Sequence, residues 1–529
     1  LARRGYVVLA LDLHSHGDSE SLSIAELYDG AVGVDGAVQL IASLPYVDTA
    51  RIGVTGHSSG GTAANMAVEI DNSRETPLIA AVLQQAGDWQ DDTGGDHSGD
   101  YGSRSVGIIA STHDDFYFGT YDDAGNMLTN PAAFMETDGA KKFLNFNEDG
   151  FAGIAEGGKY YTRDFDGKTA YRVIYRPNMI HPLVAFSTTC VGYAVDFFDT
   201  TLGAPKPLPA SDQIWPIKAV FNSLGVIGLL IFMVSFTLVL LDTPVFSALR
   251  SGEIVQPAPV QDSGAKAWYW VLLIIGAVFS GSSFLFCMNT VYSKTTNFFV
   301  QTGPLTIGTW AALCGVFAIF CSAVFYGAYG KKHGWSARRA GLYLNLEQLW
   351  KTIALAVIVI VVSFGLVFAA HYFFQVDYRM YVVAFKTFGA DKVLIALRYL
   401  PFFLLFYVMN SISANCFNYN TIGGKNGNIL IFAFFNALGA IFVVASQYIY
   451  FYATGYQLYG LTEGQRIGPI WLFPCMVLLF VTPIMSRIIY KRTRNPYIAG
   501  LINAMFIVMI SCSNTTTILG GGELIATTF

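Results

Sequence analysis

The fold is decided by the stretch Arg51-Ile52-Gly53-Val54-Thr55-Gly56-His57-Ser58-Ser59-Gly60-Gly61. A short apolar run, typical of a buried strand, ends in Gly-x-Ser-x-Gly, and a helix-like segment follows over residues 62–70. Glycines on both sides of Ser58 permit a turn too sharp for a Cβ, so that its hydroxyl would project above the sheet edge. The pentapeptide alone is weak evidence, but its position between strand and helix makes Ser58 a candidate nucleophile. The backbone N–H of Ser59, at the helix start, would then be an oxyanion donor.

Working outward from this turn, strand-like runs alternate with helical patterns up to about residue 203. The strands are predicted at 5–12, 51–55, 78–83, 106–110 and 170–175, and helices at 24–43, 61–70 and 183–199. This alternation predicts a mostly parallel α/β sheet flanked by helices. Two longer insertions, 87–104 and 116–169, are predicted to be loops or lids.

The character of the chain changes after a proline-rich linker over residues 204–216. Residues 217–529 hold eight apolar runs near 219–241, 268–288, 305–327, 352–374, 393–413, 428–452, 470–490 and 498–518. About 20 apolar residues span the ~30 Å hydrocarbon layer, so we expect an all-α polytopic transmembrane domain of about eight helices. The predicted domains are therefore 1–203 for the α/β domain and 217–529 for the membrane domain.

Charge is divided unevenly between the two halves of the chain. Residues 1–210 contain 28 Asp and Glu against 13 Lys and Arg, whereas the remainder contains 9 against 19. A nucleic-acid partner is therefore excluded for the acidic half. Cys190 is the single cysteine of that half, so a disulfide within it is ruled out, and no metal-ligand spacing or cofactor motif is seen.

The distribution of Lys and Arg among the short loops predicts the orientation in the membrane. Loops after odd-numbered spans carry ten of these residues, and loops after even-numbered spans carry five. The odd loops are therefore expected in the cytoplasm. The eight spans predict an integral, multi-pass membrane protein, with the plasma membrane as the expected location. The orientation predicts that the α/β domain lies outside the cytoplasm.

A nucleophilic serine needs a base, and the base needs an acid that fixes its tautomer. Of six histidines in the first half, only His181 comes late enough for the chain order Ser, Asp, His. His57, within the turn itself, is expected to have a structural role. Asp114 and Asp115 both follow the predicted strand 106–110, at the strand end where catalytic groups gather. Asp114 is favoured because Phe116 would anchor the loop, and Asp115 remains the alternative acid.

Residues 1–203 resemble the α/β-hydrolase superfamily, and in particular its dienelactone-hydrolase and prolyl-oligopeptidase-like branches. The matching text is Val7-Val8-Leu9-Ala10-Leu11-Asp12 before His16-Gly17-Asp18-Ser19, and Val47-Asp48-Thr49-Ala50-Arg51-Ile52-Gly53-Val54 before the turn. The resemblance implies Ser58 as nucleophile, Asp114 as acid, His181 as base and the Ser59 amide as half of the oxyanion hole. The early strands and the second oxyanion donor of the family are expected upstream of Leu1.

These patterns predict a membrane-anchored serine hydrolase that needs no cofactor or metal. Its substrate would be a small-molecule, lipid or peptide ester or amide, and its other partner would be the lipid bilayer. Eight spans exceed what an anchor requires. Two alternatives therefore stay open: a transporter or sensor with a non-catalytic hydrolase-like binding domain, and a membrane acyltransferase.

Polar residues interrupt the predicted fifth span and the loop that follows it. They are Arg398, Asn410, Asn415, Asn418 and Asn420. Polar groups inside spans mark a pathway or a headgroup contact, whereas an arginine near a span end also reaches the interface by extending its side chain. Both interpretations stay open for Arg398.

Overall fold

The computed structural model describes the chain except for residues 92–94, 123–125, 261, 382, 521 and 524–529. The chain forms two compact units. The first comprises Leu1–Pro216, Ser446–Ile467 and Thr516–Phe529, and the second comprises Ile217–Ala445 and Gly468–Thr515. Two short segments distant in sequence, 446–467 and 516–529, thus belong to the same unit as the α/β sheet.

The first unit is built on a five-stranded sheet in the order β1-β2-β3-β7-β6. Its strands, with the small hairpin β4–β5, are β1 Ile52–His57, β2 Ile79–Gln85, β3 Ser105–Ile109, β4 Thr120–Tyr121, β5 Met127–Thr129, β6 Tyr161–Phe165 and β7 Lys168–Tyr175. β1, β2, β3 and β7 are mutually parallel, and β6 pairs antiparallel with β7. The prediction of a mostly parallel sheet is confirmed.

Helices cover both faces of this sheet. They are α1 Ile24–Leu27, α2 Asp29–Val32, α3 Val34–Ala42, α4 Ser59–Asn72, α5 Asp138–Leu144 and α6 Thr188–Thr201. Consecutive residues of β2 belong to different hydrophobic clusters. Val82 packs in the cluster that includes residues of α3 and α4, whereas Leu83 packs in the cluster that includes Phe197 of α6. Side chains of a strand point to opposite faces in turn, so the sheet is buried between two helical layers.

The strand predicted over residues 5–12 does not form. No strand is assigned there, and Val7, Val8 and Leu9 are between 43% and 52% exposed. A strand needs a neighbour to complete its backbone hydrogen bonds. β1 is an edge strand of the described sheet and pairs with β2, and the run over residues 5–12 forms no strand ladder with it.

The insertion over residues 116–169 contains more regular structure than the predicted loop or lid. Besides the hairpin β4–β5, it contains a 3₁₀ segment at Pro131–Glu136, the helix α5 and the edge strand β6. In β6 (Tyr161-Thr162-Arg163-Asp164-Phe165), partly buried and exposed residues alternate. An edge strand needs only one apolar face, so β6 can carry charged residues on the other face. These charged residues make the segment resemble a loop in the sequence.

The remaining helices are long and apolar: α7 Trp215–Leu241, α8 Ser263–Thr290, α9 Thr302–Phe325, α10 Leu346–Phe374, α11 Ala390–Ile412, α12 Gly424–Thr454, α13 Glu463–Thr493 and α14 Pro496–Ser513. Short strands lie among and after them: β8 Lys294–Thr295, β9 Tyr378–Met380, β10 Val383–Phe385 and β11 Gly522–Glu523. Within the described part of the chain, eight helices are long and apolar enough to cross a membrane. This indicates an integral multi-pass membrane protein.

The centre of the second unit is α14, whose most apolar window is 78% buried. It packs against α11 and α10. The predicted run 498–518 ends earlier as a helix, at Ser513, because Asn514 and the threonines after it favour bonds outside a helix. Two helices of this unit pass into π-helical turns, Tyr326–Gly330 after α9 and Ser413–Phe417 after α11.

Candidate active site

The turn between β1 and α4 holds Ser58 in an unusual backbone conformation, with φ 56° and ψ −125°. A non-glycine residue at positive φ is strained by about 1–3 kcal/mol, and such strain is concentrated at functional sites. The two flanking glycines have different roles. A Cβ at Gly56 would overlap the backbone of Gly60, whereas a Cβ at Gly60 would meet open space. The sharp turn therefore depends on Gly56.

Backbone hydrogen bonds fix the turn to the sheet and to the helix. The Ser58 amide donates to the carbonyl of Gln85 at the end of β2 (2.9 Å), and the Ser58 carbonyl accepts from the Gly61 amide (2.7 Å). Ser59 is the first residue of α4. Its amide therefore lies at the N-terminus of a 14-residue helix, where backbone N–H groups and the helix dipole favour negative charge.

His181 and Asp114 form a buried pair. His181 Nδ1 lies 2.9 Å from one carboxylate oxygen of Asp114 and 3.0 Å from the other. The two side chains are 2% and 0% exposed. With Nδ1 donating to the carboxylate, a neutral imidazole keeps Nε2 as the proton acceptor.

Asp114 is held as a carboxylate by its surroundings. Its oxygens accept hydrogen bonds from the Ser111 hydroxyl (3.1 Å) and from the amides of Phe116 (3.0 Å) and Tyr117 (2.9 Å). Burial raises the pKa of Asp114, but the charge and hydrogen bond of His181, together with these amides, outweigh burial and lower the pKa below its usual value. Asp114 is thus suited to orient an imidazole and to stabilise its protonated form.

Asp115 contacts His181 differently. One of its carboxylate oxygens accepts from the backbone amide of His181 (3.3 Å). Burial, and then the charge of Asp114, raise the pKa of Asp115 well above its usual value. Asp115 therefore holds the main chain of the histidine, while Asp114 holds the ring.

His57 connects the turn to His181. Its Nε2 donates to the carbonyl of His181 (3.1 Å), and the two rings lie 4.8 Å apart between centroids. Burial, and then the nearby His181, lower the pKa of His57 to about 4, so it is uncharged near neutral pH. These contacts place His181 directly against the residue that precedes Ser58.

The three predicted residues lie at one edge of the sheet. Ser58 follows β1, Asp114 follows β3 and His181 follows β7, and these strands are parallel. A parallel bridge between His113 and Ile180 joins the two loops that carry the acid and the base. The geometry brings Asp114 and His181 into contact, and Ser58 lies at the same edge of the sheet, joined to them through His57.

Two features of the site were missing from the sequence predictions. Asp88, after β2, is buried, and burial raises its pKa to about 7. Gln457, from the segment 446–467 of the same unit, donates through Nε2 to the carbonyl of Asp115 (2.6 Å). A local sequence pattern does not relate residues more than 300 positions apart. The contact of Gln457 with Asp115 therefore has no sequence signal.

The same segment makes further contacts with β4 and with the loop between β3 and β4, residues 110–119, which carries Asp114 and Asp115 and is called the acid loop below. Tyr452 packs on the ring of His113, with centroids 4.4 Å apart, and the guanidinium of Arg466 lies 4.4 Å from the ring centroid of Tyr121. In the part of the chain that the structure describes, no group of three or more His, Cys, Asp or Glu is arranged to hold a metal ion.

We compared the chain with protein-family models, with curated proteins and with solved structures, and none of the three comparisons found a match.

Proposed function

We propose that the first unit is an α/β-hydrolase domain and that the protein is a membrane-anchored serine hydrolase. The proposed substrate is a small-molecule, lipid or peptide ester or amide reached outside the cytoplasm. The single observation that carries this proposal is the buried pair of His181 Nδ1 with both oxygens of Asp114, next to a strained Ser58 turn. Strand ends of one parallel sheet supply all three residues, as in triad hydrolases.

The proposed reaction uses each residue in one role. His181 takes the Ser58 proton at Nε2 while Ser58 Oγ forms a bond to the substrate carbonyl carbon. The Ser59 amide donates to the oxyanion, and Asp114 stabilises the imidazolium. The imidazolium then gives its proton to the leaving group as the bond between carbonyl carbon and leaving group breaks. Water attacks the resulting acyl-enzyme by the same route and releases the acid.

Labelling with a fluorophosphonate probe tests the nucleophile. We expect the full-length protein in detergent to be labelled and Ser58→Ala to lose the label. The matched control is Ser59→Ala, which removes the neighbouring hydroxyl but keeps the backbone amide and should still be labelled. Equal labelling of wild type and Ser58→Ala would refute the assignment of Ser58. Mass spectrometry of the product then distinguishes hydrolysis from acyl transfer to an acceptor.

A further inference from the structure

The second unit contains a partly open cavity that the proposed hydrolase does not use. Its volume is about 620 Å³, within the ~300–1,000 Å³ of typical ligand sites. Its walls come from α8, α9, α11, α12 and α13, and from both π-helical turns of the unit. π-helical turns are often found at functional sites. The asparagines at 410, 415, 418 and 420, which the sequence singled out, all line it.

The cavity has both apolar and polar lining residues. Leu272, Phe279, Phe317 and Phe403 are among its apolar lining residues. Its polar lining residues include Asn410 and Asn436, and Asn410 Nδ2 donates to Asn436 Oδ1 at 2.6 Å. A site with both kinds of lining matches a ligand that has both an apolar and a polar portion.

One lining side chain of the cavity carries a fixed positive charge. This residue is Arg339, and the described lining contains no Asp, Glu or Lys. Outside the lining, the carboxylate of Asp262 accepts from the hydroxyl of the lining Tyr329 (2.9 Å). Arg339 is exposed, and no described carboxylate lies within 4.0 Å of its guanidinium. An arginine at the wall of a cavity whose described lining residues include no carboxylate favours an anionic ligand.

A second arginine lies behind the wall. Arg487 is 2% exposed, and its guanidinium donates to Asn415 Oδ1 (2.8 Å), to Asn428 Oδ1 (2.9 Å) and to the carbonyl of Ala414. It also lies 3.9 Å from the ring centroid of Tyr419. Asn415 and Tyr419 both line the cavity.

These partners of Arg487 are neutral groups, and among the described residues no carboxylate lies within 4.0 Å of it. A buried charge without a counter-ion is costly, and an ionisable side chain inside a membrane domain is by default a functional one. An anion in the adjacent cavity would offset this cost.

We propose that the cavity binds an amphiphile with an anionic head, either a carboxylate or a phosphate. The head lies toward Arg339 and in the field of Arg487, and the apolar chain lies among the phenylalanines. Arg339 and Arg487 are near the helix ends that adjoin the most basic loops, and basic pockets of this kind bind anionic lipid heads. The proposal is independent of the hydrolase chemistry.

Saturable binding of radiolabelled oleate to the full-length protein in a non-ionic detergent tests the proposal. Oleyl alcohol has the same chain without the charge, inorganic phosphate has charge without a chain, and oleoyl lysophosphatidate exchanges the head for a phosphate. We expect one of the two anionic amphiphiles to bind at least about tenfold more tightly than oleyl alcohol and inorganic phosphate, a difference of about 1.4 kcal/mol. The tighter of the two identifies the head. Equal affinity for oleyl alcohol would refute anion recognition.

A pair of glycine variants locates the binding site. Gly276 lines the cavity, and a Cβ built there meets nothing within 4 Å, so Gly276→Leu fills the cavity without a clash at Cβ. Gly365 of α10 is also unobstructed but does not line the cavity, so Gly365→Leu is the matched control. We expect Gly276→Leu to weaken binding about tenfold and Gly365→Leu to leave it unchanged. Unchanged binding to Gly276→Leu would show that the ligand binds elsewhere.

Arg339→Gln tests the head contact without touching the buried arginine. Because Arg339 is exposed, the variant should retain the thermal stability of wild type. We expect it to weaken binding of the anionic amphiphile about threefold to tenfold and to leave oleyl alcohol unaffected. An equal effect on both ligands would contradict the proposed contact.

Discussion

The two adjacent carboxyl groups after β3 make different contacts with one histidine. Both oxygens of Asp114 face the ring Nδ1 of His181, whereas Asp115 accepts from the main-chain amide. A carboxylate at Nδ1 sets the tautomer of the imidazole and stabilises its charged form. A carboxyl group at the amide does neither. The contacts therefore favour Asp114 as the acid of the proposed triad.

The asparagine variants of these two residues separate their roles. Asp114→Asn should lower kcat/KM on a p-nitrophenyl ester by a factor on the order of 10⁴, because an amide favours the wrong tautomer. Asp115→Asn keeps an oxygen that accepts from the His181 amide. Its activity should stay within about tenfold of wild type, because at most one hydrogen bond is lost. Steady-state kinetics of the two variants provide the measurement. The reverse order of effects would make Asp115 the acid.

At the scale of elements, the strand–turn–helix unit depends on one close backbone approach. β1 ends at His57 and α4 begins at Ser59, so the chain reverses direction within a single residue. The reversal brings the first turn of α4 against Gly56, at a position where a side chain has no space. Gly60 is in the same motif but faces open space, and so the glycine pattern contains one essential and one dispensable position.

Alanine variants of the two glycines test this difference. Gly56→Ala forces the turn apart and should lower the thermal unfolding temperature by several degrees and abolish fluorophosphonate labelling. Gly60→Ala should be neutral or stabilising by up to ~1 kcal/mol, because alanine is the better helix former. Thermal unfolding and labelling of both variants in detergent provide the readouts. Similar behaviour of the two variants would mean that the turn is not held as described.

At the scale of the whole molecule, the first unit is assembled from three separate parts of the chain. The segment 446–467 lies between the apolar parts of α12 and α13 in sequence, yet it packs on the loop that carries Asp114 and Asp115. The segment after Ser513 also returns: the Thr517 amide donates to the carbonyl of Ser15 (3.0 Å). The proposed active site is therefore completed by residues from the half of the chain that holds the spans.

Gln457→Leu tests this dependence in the full-length chain. Loss of its hydrogen bond to the Asp115 carbonyl should lower kcat for ester hydrolysis about threefold to tenfold, while KM changes little, since the residue is expected to act by positioning the loop that carries Asp114 and Asp115. Gln465→Leu, in the same segment, is the matched control, because Gln465 accepts from the Leu461 amide and does not reach the acid loop. Equal rates for Gln457→Leu and wild type would exclude a positioning role.

The sequence by itself determined the features that rest on local chemistry. Parallel strands, the Ser58 turn and the eight apolar helices each have a pattern within one segment, because burial, turn geometry and span length act over a few residues to a few tens of residues. The order Ser, Asp, His also restricted the candidates to Ser58, His181 and two aspartates.

Tertiary structure decided what depends on distant parts of the chain. Residues 5–12 are apolar enough for a strand but form no ladder with the sheet, whereas β6 is polar enough for a loop but pairs with β7. The sequence favoured Asp114 over the adjacent Asp115 only through Phe116, whereas their contacts with His181 differ clearly. Gln457 reaches the acid loop, and Arg487 is buried beside a cavity, because the chain folds back on itself. Contacts of this kind arise from packing between segments, and no local pattern of residues encodes them.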